Sequence, residues 1–167
     1  MALKADRHEL ATDISFFMDE TASRGGVATI STGGSGAALD QSGAKVSYTA
    51  DASGAVPAGL LLNDMVNLDL TRQHINWHKD ETQKGGKVTL LTKGWVVTNM
   101  IYPGQTPAIG GLAYVAHSGY IGASNVDDTP GQGNVIGRFL STKDEDGYVK
   151  VEINLPNALS GYHPTAS

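Results

Sequence analysis

Apolar and polar positions alternate most cleanly near the end of the chain. Val149, Val151, Ile153 and Leu155 fall on one side, and Lys150, Glu152 and Asn154 on the other. A period of two marks a strand with one dry and one wet face. The same reading covers Lys87-Val-Thr-Leu-Leu-Thr-Lys-Gly94 running into Trp95-Val-Val-Thr-Asn99, and then 106–115, 119–122 and 134–140, with glycine turns between them. Upstream, 27–31, 45–50 and Leu60-Leu-Leu62 read as strands. So do Val66, Leu68 and Leu70, with Asn67 and Asp69 facing the other way, and Asn63-Asp64 is the expected turn before them. Asp146-Gly147 predicts a hairpin of the primed type that sets the register of the last two strands.

The beginning of the chain has a different texture. Leu10, Ile14, Phe17 and Met18 recur at helical spacing, with Asp6 or Thr12-Asp13 as possible caps. The pattern fits a helix of one or two turns, and Ile14-Ser-Phe-Phe-Met18 fits an extended anchor equally well. Thr32-Gly-Gly-Ser-Gly-Ala-Ala38 reads as a flexible turn, residues 71–84 as a polar connector, and 156–167 as a tail too polar for a core. The chain therefore divides into an N-terminal arm (1–26), a β-rich body (27–156) and an irregular C-terminal tail (157–167). The expected fold is mainly β, a small β-barrel or β-tulip body.

Composition narrows the function. With 167 residues there is room for one ordinary domain, and 21 glycines with only 17% charged residues favour strands and turns over a helical bundle. A net charge of −5 argues against nucleic acid as a partner. Cysteine is absent, which removes disulfides and thiol chemistry. No apolar run is long enough for a membrane helix, and the first nine residues lack the pattern of a secretory signal, so the expectation is a soluble protein made in the cytoplasm, with no membrane partner.

Candidate chemistry is sparse. His74 and His78 stand four apart, which on a helix puts both imidazoles on one face. A zincin would need Glu after the first histidine, and Ile75 stands there, so a polar connector explains the pair and no metal or cofactor is expected. Asp144-Glu-Asp-Gly147 resembles a calcium loop, but Thr142 and Lys143 occupy positions where oxygen ligands should precede it, and a hairpin turn accounts for it better. Gly33-Gly-Ser-Gly36 lacks the lysine of a phosphate loop. Ser118 in His117-Ser-Gly119 is the nearest approach to a nucleophile, and a turn explains it better. The aromatics Trp77, Trp95, Tyr102, Tyr114, Tyr120 and Tyr148 are scattered through separate strands, as core and rim positions would be. Nothing here forms a catalytic set, and the chain reads as a structural protein rather than an enzyme.

The order of segments resembles the capsid cement (head decoration) proteins of tailed bacteriophages. The matching stretches are Asp13-Ile-Ser-Phe-Phe-Met18, Arg24-Gly-Gly26, Gly59-Leu-Leu-Leu-Asn-Asp64, Val66-Asn-Leu-Asp-Leu-Thr-Arg-Gln73, Gly85-Gly-Lys-Val-Thr-Leu-Leu91, Gly94-Trp-Val-Val-Thr-Asn99, Val135-Ile-Gly-Arg-Phe139 and Asp144-Glu-Asp-Gly-Tyr-Val-Lys-Val-Glu-Ile-Asn154. The resemblance implies a virion protein on the outside of the expanded head that stabilises the capsid by bridging major capsid subunits. Its implied partners are the major capsid protein and copies of itself, as a homotrimer. It supplies no catalytic residue.

The apolar cluster before the β-series, Leu10, Ile14, Phe16, Phe17 and Met18, either packs on its own body or docks into a groove on a partner. Within the frame of that resemblance docking is the expectation, which makes these residues, with Arg24 at the flexible Arg24-Gly-Gly26, the expected capsid-binding element. Deleting residues 1–23 is then expected to leave a folded body that binds heads weakly. Spare apolar residues such as Ile101 and Ile109 are expected to pack between copies. Two rival readings remain: a fibre or receptor- or carbohydrate-binding head module, and a trimeric β-fold nucleotide hydrolase.

Overall fold

Two strands of eleven residues set the frame, and one of them, Val88–Thr98, takes hydrogen-bonded partners on both of its edges. The structure is a computed structural model describing residues 2–32, 44–52, 54–64, 81–82, 84–123 and 134–155. In chain order the strands are β1 (Leu3–Asp13), β2 (Phe17–Met18), β3 (Ala22–Ser23), β4 (Val27–Thr32), β5 (Lys45–Ser47), β6 (Pro57–Asp64), β7 (Glu81–Thr82), β8 (Val88–Thr98), β9 (Leu112–Val115), β10 (Ile121–Gly122), β11 (Val135–Phe139) and β12 (Val149–Asn154). A 3-10 turn, His117–Gly119, lies between β9 and β10. The fold is mainly β, as the alternation predicts.

The main sheet runs β10-β9-β11-β12-β8-β6-β4-β5-β2, with β1 added on β8. Among the described strands the pairings are antiparallel except β2 with β5, and a single parallel bridge joins Ile101 to Ile121. Among the described residues the path does not close into a barrel. Trp95 pairs with His8 of β1 and Glu152 of β12, whereas Leu91 pairs with Thr12 of β1 and Leu60 of β6. One edge of β8 is thus lined by β1, and β12 and β6 share the other.

Two cores result. Leu60, Leu62, Leu91 and Val96 join Ile136, Phe139 and the dry face of β12 in the larger one. Leu61, Val88 and Leu90 point into the smaller one with Met18, Ala28 and Val46. The unbroken run Leu60-Leu-Leu62 reflects this, because β6 is covered on both faces. Val149, Val151, Ile153 and Leu155 are all buried in the larger core, as their period of two requires.

Four expectations change. Residues 3–18 form no helix: 3–13 are β1, because pairing along β8 satisfies the backbone, and Leu10 and Ile14 stay exposed instead of making a buried helical stripe. Asn63 and Asp64 are not a turn but the end of β6, paired with Thr89 and Val88. Ile101 is not a spare apolar residue, since it is buried in the larger core, whereas Ile109 is exposed. The turn before β12 is not of the primed type. Gly147 donates to the Asp144 carbonyl at 3.1 Å, and among the described residues the only positive-φ residue other than glycine is Ser118. Gly147, at φ 83, instead follows an ordinary turn whose first carboxylate, Asp144, accepts from the N–H groups of Asp146 and Tyr148. The segments holding Gly33–Gly36, Val66–Leu70, His74, Trp77, His78, Asp127–Asp128 and the C-terminal tail lie outside the described residues.

Candidate functional site

The six residues singled out in the sequence for docking separate into three environments. Glu9 pairs with Gly94 and Ala11 with Lys93, so Leu10 is the extra residue of a β-bulge, and it is 71% exposed. Ile14, just beyond β1, is 43% exposed. Phe17 and Met18 are buried: β2 adds parallel to β5, and the Met18 backbone exchanges bonds with Gly86 and Gly85 at 2.9 and 2.7 Å. Phe16 is half-buried against the smaller core, and Arg24 is half-buried in the turn between β3 and β4. Leu10 and Ile14 are therefore offered to solvent, while their neighbours Phe17 and Met18 are fixed in the body.

The wet face of the sheet carries a second arrangement. Register places His8, Trp95, Glu152, Arg138 and Leu112 in one cross-strand row through β1, β8, β12, β11 and β9. Four strand spacings make that row roughly 19 Å long. His8 stacks on Trp95 with ring centroids 6.5 Å apart, and the Lys150 ammonium sits 3.7 Å from the Trp95 centroid. Arg138 Nε donates to Glu152 Oε2 at 2.6 Å. At one end, Lys4 lies 4.2 Å from the Tyr148 ring and 3.8 Å from the Asp144 carboxylate. Such cation–π contacts at exposed sites are worth about 0.5–1 kcal/mol each. Their effect is to hold long side chains in fixed places.

A third feature is a pocket. An open pocket of about 480 Å³ is lined by Glu20, Tyr48, Met100, Ser118 and Tyr120 among others. Tyr48 ties it together. Its hydroxyl donates to the Ser23 carbonyl and accepts from the Gly26 N–H at 3.0 Å, while its own N–H donates to Glu20 Oε1 at 2.6 Å. Burial pushes its phenol well above the ordinary value, the Gly26 N–H pulls it back in part, and the Glu20 charge adds to the rise. Ser118 has a φ of 56 and donates its backbone N–H to Thr49 at 2.6 Å. His117 uses Nδ1 to accept from the Ala52 N–H at 3.2 Å, so that nitrogen serves the backbone. Among the described residues no three of His, Asp or Glu gather as a metal ion requires.

The comparison with protein families is decisive. Residues 9–154 match the phage family described as structural cement protein, which includes Pam3 gp6. The chain belongs to the phage structural cement proteins. A search of curated proteins returns no match. The match spans β1 from its bulge through the last residue of β12. It gives this cement protein a structural role in the virion capsid.

The sequence pointed to part of this surface and missed the rest. Lys150 and Glu152 were legible as the wet face of β12. The row through Trp95 was not, because it depends on the register of five strands distant in sequence. The one available signal was Trp95 itself, a large aromatic inside a strand whose neighbours Val96 and Thr98 are buried.

Proposed function

We propose that the protein sits on the outer surface of the expanded head and stabilises it by bridging major capsid subunits, as a homotrimer and without catalysis or cofactor. The observation that carries this reading is the pairing of Leu10 and Ile14, exposed, with Phe17 and Met18, buried in the same body. An apolar contact anchored this way transmits load into a core. Covering what Leu10 and Ile14 expose is worth roughly 1–2 kcal/mol for Leu10 and about 1 kcal/mol for Ile14 before ordering costs. Phe16 and Arg24 border the same segment and complete the contact. The division into arm, body and tail belongs to this proposal: residues 1–26 supply the capsid contact, although three of their strands also pair with β8, β5 and β7.

The test is co-sedimentation with expanded heads assembled without the cement protein. Leu10→Asp combined with Ile14→Asp is expected to weaken binding strongly while moving the melting temperature little, since exposed substitutions usually change stability by about 0.5 kcal/mol or less. Undiminished binding by the double variant would move the contact elsewhere.

A further inference from the structure

The wet face of β1, β8, β12, β11 and β9 differs from the rest of the chain in the sign of its charge. Lys93, Trp95 and Val97 share one side of β8, because β12 pairs with it without a register break from Asn154↔Lys93 to Val149↔Thr98. Lys150 and Glu152 occupy the same side of β12, and Arg138 continues it on β11. With Lys4 at its end, this face holds four cations against two carboxylates, Asp144 and Glu152, on a chain whose net charge is −5. Counting Asp6, from the irregular part of β1, still leaves cations in excess.

Both carboxylates are already engaged, Asp144 by Lys4 and Glu152 by Arg138. Lys93 and Lys150 form no ion pair among the described residues. Lys93 is exposed, and Lys150 is held over Trp95. The arrangement has the make-up of an interface centre: a tryptophan and an arginine already fixed by neighbours, so that little side-chain freedom is lost on docking. Its unpaired charges are positive.

We infer that this face, centred on Trp95, is a docking surface for an acidic, carboxylate-rich surface of the capsid lattice. The inference rests on the proposed head-binding role and names the chemistry of the partner. Leu10, two residues beyond His8 on β1, extends the same surface with an apolar margin. A complementary acidic partner would speed encounter and fix orientation, and both effects weaken as salt is added.

The experiment measures binding of the full chain to expanded heads assembled without it, at low and high salt. Lys93→Glu, Arg138→Glu and Lys150→Glu are compared with Lys84→Glu, an exposed reversal in the turn before β8, away from this face. Each of the first three is expected to weaken binding about tenfold or more, and the wild type to lose affinity as salt rises. Lys84→Glu should bind as the wild type does. Lys93→Glu keeps the test decisive if Lys150→Glu melts early, because Lys93 takes part in no aromatic contact. If the wild type does not bind heads, the proposed function falls and this inference with it. If the wild type binds and Lys93→Glu and Arg138→Glu bind equally well, the head-binding role stands and this inference is overturned. Variants that alter only self-association would also overturn it, making the face a contact between copies.

Discussion

Replacing Gly94 with alanine tests the junction on which both the fold and the exposed bulge depend. Gly94 has a φ of 142, a region that side chains other than glycine rarely enter, and residence there costs about 1–3 kcal/mol. Space is a second problem. An added methyl would run into the His8 carbonyl oxygen and lie 3.2 Å from the Leu10 nitrogen, so β1 must move away from β8. Losing two backbone hydrogen bonds beside the bulge adds about 1 kcal/mol each. The sum is about 4 kcal/mol, a sizeable share of the 5–15 kcal/mol that typically holds a domain together. For a chain of this size it corresponds to a fall of about 8–16 °C in melting temperature. Gly147→Ala isolates the conformational part: Gly147 has φ 83 with nothing within 4 Å of an added methyl, so it should cost about 1 kcal/mol from backbone strain alone. Thermal unfolding followed by circular dichroism reads both variants. If the two melt within a couple of degrees of each other, β1 is not held against β8 at this point and the argument fails.

Two further outcomes follow from the same packing. Tyr48→Phe removes the hydroxyl bonds to Ser23 and Gly26 and should cost about 1–2 kcal/mol. Because the folded state raises the Tyr48 phenol above its ordinary value near 10.0, the contribution of this group is complete below that pH and is lost as pH rises towards the folded value. Denaturant titrations above pH 10 should therefore show a steeper loss for wild type than for Tyr48→Phe, and identical slopes would assign the alkaline loss to other groups. Deleting residues 1–23 strips β1 from β8 and takes Leu3, Phe17 and Met18 out of the cores, so the expected product is an unfolded chain instead of a free-standing body. A cooperative melt from the truncated protein would instead show residues 1–23 to be a detachable arm.

How far the sequence could be read depended on whether a strand's partner left a local mark. β12 was legible because one of its faces is dry and the other wet. β1 was not. Leu10, Ile14 and Phe17 happen to fall at helical spacing, and the pairing that makes the segment a strand comes from β8, with Thr12 opposite Leu91. Asn63 and Asp64 carry turn chemistry, yet pairing with Thr89 and Val88 keeps them in β6. Tertiary pairing overrode local preference in both places. The candidate surface was half visible for the same reason. Apolar exposure at Leu10 and Ile14 can be guessed from a cluster, but no spacing within the chain brings His8, Trp95, Glu152 and Arg138 into one row.

That row and the bulge meet on β8, and this has a mechanical consequence. A contact made through a flexible arm yields until the arm is taut. A contact made through β1 and Trp95 passes at once to β8, because β1 lines one edge of that strand and β12 and β6 the other. From β8 it reaches both cores, through Leu91 and Val96 on one side and Val88 and Leu90 on the other. Local opening of such a strand costs nearly the full stability of the domain, unlike the fraying of a terminal segment. A protein whose proposed task is to keep neighbouring subunits from separating is best served by a docking surface carried on its least yielding element, and β8 is the strand here that both cores and all of its neighbours hold in place.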